Sequence, residues 1–396
     1  MPAGVASVGS NRVVRNKNGG EQNREPGKHQ KQLPNMILRL SIFLFFLTAL
    51  FSSCGKDPFQ SGNTIPSAFG DINQLVVVMA DSAEWRSPLG DTVDSYFAGP
   101  FMIVPTPEPL FDIKFLEANR LMRQDILRQY RNYVVPVNLA NKNSETSRMV
   151  GKYLGDEKIR TVQEAGGYKI FVNRNLWASD QTVYYIVGTS EDKLIEGLQA
   201  NAPGIVNQIK REQEERHRAT AFAVKGENMN LRRQVVTDLG VDFSFPNDFK
   251  LAVQDTTDQV VWLRQDEGTF TNNIFLKKVP YENREQLTPT YAKELLENTG
   301  ARYIKSNVPG SFKKIDDVNL PLLSSATTIN GNFALELRGI WEMENDAMAG
   351  PFVAYLIHNP TTNELLLAEG FIFAPGEDKR DAVEQLEVLL RSIRFV

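Results

Sequence analysis

The hydrophobic pattern of the chain changes near Gly226, and this change constrains the fold more than any other feature. Before it, short apolar runs rich in β-branched residues alternate with segments of helical period. The strand candidates in this part are residues 75–80, 132–139, 168–172 and 182–187. Pro136 predicts an edge strand or a strand end for the second of these, because proline donates no backbone hydrogen bond. Strands that alternate with helices predict an α/β or α+β first half.

Capping residues and apolar spacing mark the helices of this first half. Ser87-Pro88 is typical of a helix start, with serine as the N-cap and proline in the first turn. Residues 116–130 have helical apolar spacing and predict a second helix. A third helix is expected over residues 191–221, broken at Pro203. Its charged end, residues 210–218, mixes both signs and predicts a solvated helix face.

Beyond Gly226, strands dominate. A helix over residues 227–239 is expected to end at Gly240, and another covers residues 291–298. The strand candidates are residues 259–264, 273–279, 333–341, 352–358 and 365–373. The last helix carries one apolar stripe, formed by Ala382, Leu386, Leu389 and Ile393. We therefore predict an α+β fold with two α/β domains, residues 75–225 and 226–396, the second a mostly antiparallel sheet with flanking helices.

Charge and residue counts exclude several classes of function. Residues 1–53 carry a formal charge of +5 and the rest of the chain −9, so the larger part has no basic stripe for a phosphate backbone and we expect no nucleic-acid partner. Cys54 is the only cysteine, which excludes an intramolecular disulfide. With only three histidines besides, little material is left for a transition-metal site, and we predict no metal site and no cofactor. A Ca²⁺ or Mg²⁺ site made of carboxylates alone is the open alternative, although the sequence has no EF-hand-like run.

A short apolar segment ends at that single cysteine. Arg39 precedes about a dozen apolar residues up to Phe51, which is too short for a spanning helix of roughly 20 residues. Ser52 and Ser53 then lead into Cys54. This arrangement resembles the lipobox of bacterial lipoproteins, in which a signal peptidase cuts before a lipid-bearing cysteine, although Phe51 stands where Leu or Val is preferred. We predict a signal peptide over residues 36–53 and lipidation of Cys54.

The segments on either side of this signal follow from composition. Residues 1–35 are polar and lack hydrophobic periodicity, and we expect that translation starts at Met36 and that this leader is not native. Residues 54–74 are rich in Gly, Pro, Ser and Asn, which predicts a flexible tether between the lipid and the first domain.

Several short motifs carry a resemblance to a known family. They are residues 87–90 (SPLG), 107–111 (PEPLF), 336–341 (ELRGIW), 348–352 (MAGPF) and 369–375 (EGFIFAP). The chain resembles uncharacterised Bacteroidota lipoproteins that share a domain of unknown function. The resemblance implies an outer-membrane, lipid-anchored protein, on the periplasmic side or the cell surface, and brings no activity. The C-terminal half is also faintly similar to PsbP/Mog1-like folds through residues 243–246 (FSFP) and 391–395 (RSIRF).

The strand candidate at residues 335–341 holds the most unusual side chains. Alternation places Glu336 and Arg338 on one face and Trp341 on the other. A carboxylate beside a guanidinium is able to bind a polar ligand. The interpretation that we favour is a structural ion pair on a solvent-facing strand, with Trp341 in the core.

A catalytic alternative pairs Glu336 with Glu369. If the loops at 348–352 and 374–380 meet near Trp341, then Glu336, Glu369, Arg338 and Arg380 surround a small cleft. Two carboxylates whose environments separate their pKa values are able to hydrolyse glycosidic bonds. Arg338, Trp341 and Arg380 would then bind the ligand.

Other candidates in the first half have a simpler interpretation. Trp85, Trp177 and the pair Tyr184-Tyr185 are expected in the core rather than on an aromatic binding surface. Asp81 follows the first strand, where α/β folds often place ligand-binding groups, but no glycine-rich phosphate loop accompanies it. His217 and His358 have no visible partner in the sequence.

Two hypotheses for the function follow. The first is a non-catalytic, lipid-anchored envelope protein that binds another protein or a glycan of the envelope. The second is an envelope hydrolase that acts on carbohydrate or cell-wall material through Glu336 and Glu369.

Overall fold

The computed structural model describes residues 65–223 and 225–396, which form one compact unit from Ile65 to Val396. The expected leader, signal peptide and Cys54 lie outside the described residues, as does most of the expected tether. Within the described part, no helix has the length and apolar character needed to cross a membrane. We call residues 65–223 the N-terminal half and residues 225–396 the C-terminal half.

The end of the expected tether is part of the folded unit. The backbone N–H of Ala68 donates to the carbonyl of Ser179, and that of Phe69 donates to the carbonyl of Gln129. The side chain of Asn73 is fully buried. The segment predicted to be flexible up to residue 74 is therefore part of the folded N-terminal half from residue 68 onward, because main-chain hydrogen bonds hold it there.

A five-stranded sheet organises the N-terminal half. Its strands are β1 (Gln74–Met79), β2 (Asp112–Glu117), β3 (Asn132–Asn138), β4 (Tyr168–Arg174) and β5 (Thr182–Gly188). Their order is β2-β1-β3-β5-β4, and only the β4–β5 pair is antiparallel. Strands β1, β3 and β5 are buried on both sides, as expected for parallel strands covered by helices on both faces.

Helices cover both faces of this sheet. They are α1 (Ser82–Trp85), α2 (Pro88–Phe97), α3 (Ala118–Arg123), α4 (Glu145–Leu154), α5 (Asp156–Ala165) and α6 (Glu191–Ala223), with a 3-10 helix at Asp125–Arg128. Helices α3, α4 and α5 pack on one face, and α2 and α6 on the other. Ser87 caps α2 by accepting from the Leu89 N–H, as predicted from the Ser87-Pro88 pair.

Three sequence predictions in this half were wrong in detail. Residues 116–130 are not one helix, because Leu116 belongs to strand β2 and pairs with Val78. Pro136 lies in the central strand β3. The pairing of β3 with β1 extends only to Val134, so the N–H group that Pro136 lacks interrupts no hydrogen bond between these two strands. Helix α6 continues through Pro203, because apolar contacts of α6 with the sheet extend on both sides of the proline and offset the lost hydrogen bond.

The C-terminal half is built on an eight-stranded antiparallel sheet. Seven strands follow the order β10-β12-β13-β14-β9-β8-β7, and β11 also pairs with β12. The bounds are β7 (Lys250–Asp255), β8 (Val260–Glu267), β9 (Phe270–Pro280), β10 (Phe312–Asp316), β11 (Leu323–Ile329), β12 (Asn332–Glu344), β13 (Ala349–Asn359) and β14 (Glu364–Phe373). The short strands β6 (Val241–Asp242) and β15 (Arg394–Phe395) form a separate pair. The predicted α+β class, with a mostly antiparallel second sheet, is confirmed.

Three helices cover the two faces of this second sheet. They are α7 (Met229–Leu239), α8 (Pro289–Tyr303) and α9 (Arg380–Arg391), with a 3-10 helix at Arg284–Leu287. Helices α7 and α9 share one apolar core with the sheet, and α8 shares another on the opposite face. Gly240 ends α7 in the left-handed conformation, as the sequence predicted.

Helices α6 and α9 join the two halves. Helix α6 packs on the first sheet, α9 packs on the second, and the two helices contact each other. The charged run at residues 210–218 therefore does not form a wholly solvated face as predicted. Its residues Gln213 and His217 are buried, because they lie on the side of α6 that contacts α9 and the segment before β1.

Candidate functional site: the cleft between the two halves

An open cleft of about 800 Å³ lies where the two halves meet, and we call it the junction cleft. Asp112 and Arg131 line it from the starts of strands in the first sheet, and His217 lines it from α6. The first turn of α9 and the start of β9 in the second sheet supply the opposite wall, including Arg380 and Asn272. Both halves are thus needed to form it.

A largely buried polar cluster shares His217 with the cleft. Its members are Asn73, Lys210, His217 and Glu384, and we call it the junction cluster. Asn73 Nδ2 donates to Glu384 Oε2 at 2.5 Å, and His217 Nε2 lies 3.2 Å from the same oxygen. Lys210 Nζ forms an ion pair with Glu384 Oε1. Because an ionised carboxylate only accepts hydrogen bonds, His217 Nε2 carries the proton that it donates.

The junction cluster holds Glu384 in its charged form. Burial by itself would raise the pKa of Glu384, but hydrogen bonds from His217 and Asn73 and the charge of Lys210 lower that pKa to about 2. Burial lowers the pKa of Lys210, although the charge of Glu384 opposes this effect. The cluster therefore links α6, α9 and the segment that precedes β1 through hydrogen bonds and one ion pair.

Glu108 forms a second tie between the halves. Its two carboxylate oxygens accept from the backbone N–H groups of Lys379 and Arg380, each at 2.8 Å, in a buried position. These two N–H groups lie at the amino end of α9, where they have no partner within the helix. A carboxylate of the N-terminal half thus caps a helix of the C-terminal half, and the helix dipole favours its charge.

Arg380 completes the contact at the edge of the cleft. Its guanidinium group bonds both carboxylate oxygens of Asp112, at 3.1 and 2.7 Å, and donates to the carbonyl of Pro109 at 2.8 Å. Nε donates to the neighbouring Asp381 at 2.8 Å. Burial would lower the pKa of Arg380, but Asp112 and Asp381 raise it above its usual value. Of the candidate catalytic and ligand-binding residues Glu336, Arg338, Trp341, Glu369 and Arg380, only Arg380 lines the junction cleft.

Glu336 and Arg338 form the ion pair that the sequence favoured, but it is not on a solvent-facing strand. Arg338 Nε donates to Glu336 Oε1 at 2.7 Å, and Arg338 Nη2 lies 2.7 Å from Glu387 Oε1 on α9. Arg391 Nη1, also on α9, lies 3.7 Å from Glu336 Oε2. Helix α9 covers this face of the sheet, so Glu336 and Arg338 are mostly buried in a structural network.

Glu369 lies on the opposite face of the same sheet. In the register of β12, β13 and β14, Glu336 is opposite Tyr355 and Tyr355 is opposite Ala368, so Glu369 points the other way. Its side chain is fully buried and pairs with buried Lys313, with 2.5 Å between Nζ and Oε1. Burial raises the pKa of Glu369, although Lys313 acts to lower it. The two carboxylates therefore do not share the cleft that the catalytic alternative requires.

Trp341 is a core residue, as the favoured interpretation expected. It is 2% exposed, and its indole N–H donates to the carbonyl of Ile372 at 3.1 Å. Its ring packs edge-on against Phe371. Gly350 lies beside this hydrogen bond. A Cβ atom at Gly350 would lie 1.9 Å from the Ile372 carbonyl oxygen, so no larger residue fits there.

The remaining candidates have structural positions. Tyr184 and Tyr185 are fully buried, as expected for core residues. Asp81 caps α1 by accepting from the N–H groups of Ala83 and Glu84. The ring centroid of His358 lies 4.3 Å from that of Tyr281, and the two ring planes are tilted by 51°. Asp81 is at the carboxyl end of β1, whereas the junction cleft is at the amino ends of the parallel strands.

Sequence reasoning missed most of the residues that build the junction. Glu108 lies in a proline-rich segment, Asn73 in the expected tether and Glu384 in a helix that was described only by its apolar stripe. One signal was present, since Lys210, Gln213 and His217 recur at helical spacing within the charged run. Among the described residues, no group of three or more His, Cys, Asp or Glu side chains is arranged to hold a metal ion.

Comparison with known proteins identifies two domains in the chain but assigns no activity to either. No curated protein matches the chain. Residues 68–221 match the family model of DUF8532, a domain of unknown function, and residues 228–392 match that of DUF4837, another domain of unknown function. The expected single domain of unknown function is thus replaced by two successive matches. The chain combines two domains of unknown function, DUF8532 followed by DUF4837.

Proposed function

We propose that the protein is a lipid-anchored envelope protein whose two domains together bind a ligand in the junction cleft. The observation that carries the binding role is the construction of the cleft. Its walls come from both halves, and buried polar ties through Glu108, Arg380 and Glu384 fix those walls. Ligand sites are usually pre-formed clefts, and interfaces between domains are among the places where they occur preferentially.

The hydrolase alternative has less support. It needs two carboxylates facing one substrate, and Glu336 and Glu369 lie on opposite faces of one sheet, each held by a basic residue. We therefore propose binding rather than catalysis.

Filling the cleft tests the binding role. Thr220 is an exposed residue of α6 that lines the cleft, so Thr220→Trp inserts bulk there without disturbing a core. We expect small molecules extracted from the native envelope to raise the thermal midpoint of the wild type and not that of Thr220→Trp. A ligand present at 100 times its Kd adds roughly 2.7 kcal/mol to the free energy of unfolding. Equal midpoint shifts in both proteins would contradict binding in this cleft.

The anchor is proposed from Cys54 and the apolar segment before it. One acyl chain binds a membrane only marginally, whereas two or more give stable attachment. Cys54→Ser should abolish incorporation of labelled palmitate and release the protein from the membrane fraction at high salt. An alanine substitution at Ser61, seven residues after the cysteine, is the matched control. Full membrane retention of Cys54→Ser would overturn the lipid anchor and leave the binding role to its own test.

A further inference from the structure

Strand β11 forms part of one edge of the second sheet, and its outer side has no partner. It pairs only with β12, in an unbroken antiparallel register from Leu323 opposite Arg338 to Ile329 opposite Asn332. Most of its residues are exposed. Within the described part of the chain, no backbone hydrogen bond reaches the side of β11 that faces away from β12. The backbone groups on that side are therefore available for another strand.

The turn between β11 and β12 determines which backbone groups point outward. Asn330 and Gly331 connect the two strands with positive φ values of 46° and 86°, as in a type I′ turn. In such a two-residue hairpin, the flanking residues Ile329 and Asn332 form a hydrogen-bonded pair, and every second residue along β11 does the same. The residues between them present their backbone N–H and C=O groups outward, and they are Ser324, Ala326 and Thr328.

The other sheet edges carry features that oppose the addition of a strand. Charged side chains and β-bulges at an edge are such features. Strand β7, at the opposite edge, has a bulge between Leu251 and Val253. Strand β10, beside β11, donates the N–H of Lys313 to the carbonyl of Ile304. The edge strands of the first sheet, β2 and β4, contain charged residues, namely Asp112, Lys114, Glu117, Lys169 and Arg174. Strand β11 has no charge, no proline and no bulge, so its edge is unprotected.

The side chains of β11 follow a pattern that is chemically the same in both directions. The residues at equal distances on either side of Ala326 are Ser325 and Thr327, Ser324 and Thr328, and Leu323 and Ile329. In an antiparallel pair of two β11 strands centred on Ala326, each hydroxyl side chain is opposite a hydroxyl and each apolar side chain is opposite an apolar one. Cross-strand Ser–Thr pairs stabilise a sheet, and no like charges oppose each other here.

The outward backbone groups agree with this register. Ala326 is one of the outward-facing residues, so the two copies of Ala326 form a hydrogen-bonded pair at a two-fold axis. Ser324 of one copy and Thr328 of the other form such a pair on each side of the axis. All the backbone groups that β11 presents outward are thereby satisfied, and the same patch is used by both copies, as in an isologous dimer.

We infer that two copies of this protein associate through β11, as an antiparallel strand pair that joins their second sheets into one. An unrelated extended segment would gain the same backbone bonds but not the side-chain match, which is why the partner is a second copy. The inference is separate from the binding role of the junction cleft, because no residue of β11 lines that cleft.

Sedimentation velocity of the purified full-length protein in detergent tests this inference. We expect the mass of the wild type to rise from monomer to dimer as the protein concentration increases. Ala326→Lys places two ammonium groups opposite each other at the axis and should weaken dimerisation by roughly tenfold. Ala252→Lys is the matched control, because Ala252 is an exposed alanine on β7 at the opposite edge of the same sheet, and it should dimerise as the wild type does.

A charge rescue separates a lost contact from a damaged fold. Ala326→Glu alone should also dimerise weakly, whereas an equal mixture of Ala326→Lys and Ala326→Glu should dimerise again, because opposite charges then meet at the axis. Ala326→Cys should form a disulfide-linked dimer under mild oxidation, since the Cα atoms of a hydrogen-bonded pair lie about 5.5 Å apart, within the reach of a disulfide. The wild type, with Cys54 alone, and Ala252→Cys measure the background.

Several outcomes would overturn the inference. They are a wild type that stays monomeric at every concentration, an Ala326→Lys variant that dimerises as tightly as the wild type, and a mixture of opposite charges that stays monomeric. Disulfide formation by Ala326→Cys at the background level, or its linkage to an unrelated polypeptide in place of a second copy, would also contradict pairing through β11.

Discussion

The buried pair Lys313–Glu369 gives the sharpest test of whether Glu369 is structural or catalytic. Both side chains are almost completely inaccessible to solvent, and Nζ lies 2.5 Å from Oε1. Apart from this contact, neither Glu369 oxygen has a hydrogen-bond partner in the described residues. The Lys313 ammonium also lies 5.6 and 5.3 Å from the rings of Phe352 and Phe371. Each charge therefore depends mainly on the other.

Removing one member of this pair leaves an uncompensated charge in the core. We expect Glu369→Leu, and separately Lys313→Met, to lower the free energy of unfolding by about 3–5 kcal/mol each. The double variant Lys313→Met/Glu369→Leu replaces both charges by apolar side chains of similar size. Because it also removes the desolvation penalty of two ions, it should be as stable as the wild type or more stable by about 1–4 kcal/mol.

Urea unfolding followed by circular dichroism at pH 7 measures these differences as a double-mutant cycle. The control is Lys314→Met on the same strand, since Lys314 forms exposed pairs with Glu342 and Glu344. Its loss should change the free energy of unfolding by less than about 1 kcal/mol. A double variant whose loss equals the sum of the two single losses would refute the reasoning. So would a stable Glu369→Leu single variant, which would return Glu369 to the catalytic candidates.

Two further predictions concern the ties between the halves. The pKa of Glu384 is lowered from 4.5 to about 2, which corresponds to about 3 kcal/mol of folding stability. This stability is present above pH 4.5 and is lost as the pH falls toward 2. Urea midpoints at pH 7 and pH 3 should therefore differ more for the wild type than for Glu384→Gln, and identical pH dependence would contradict this role. Glu108→Gln should lower the free energy of unfolding by about 1–2 kcal/mol and speed hydrogen exchange at the Lys379 and Arg380 amides, with unchanged exchange as the contrary result.

Local features of the fold were predictable because their causes are local. The β-branched run of β1, the Ser87-Pro88 start of α2 and the Gly240 end of α7 each depend on residues within one turn or one strand. The alternation along β12 likewise separates the face of Glu336 from that of Trp341. These patterns need no knowledge of the rest of the molecule.

The candidate site was less predictable because its contacts are remote in sequence. Arg380 was nominated together with Glu336 and Glu369, but its partners Asp112 and Pro109 lie about 270 positions away. Asn73 and Glu384 are 311 positions apart. No spacing rule connects such residues, because the approach of the two halves brings them together.

The sequence by itself determined nine strands (β1, β3 to β5, β8, β9 and β12 to β14), five helices (α2 and α6 to α9), the α+β class and the alternation of side chains along these strands, since all of these follow from short-range periodicity and capping. It did not predict β2, β7, β10, β11, α4 or α5. Only the tertiary structure decided which faces are covered. The packing of α9 on the second sheet buries the Glu336–Arg338 pair, and its packing on α6 turns part of a charged helix into the wall of a cleft. The physical reason is that burial and charge pairing depend on which surfaces meet, and that is a property of the whole chain.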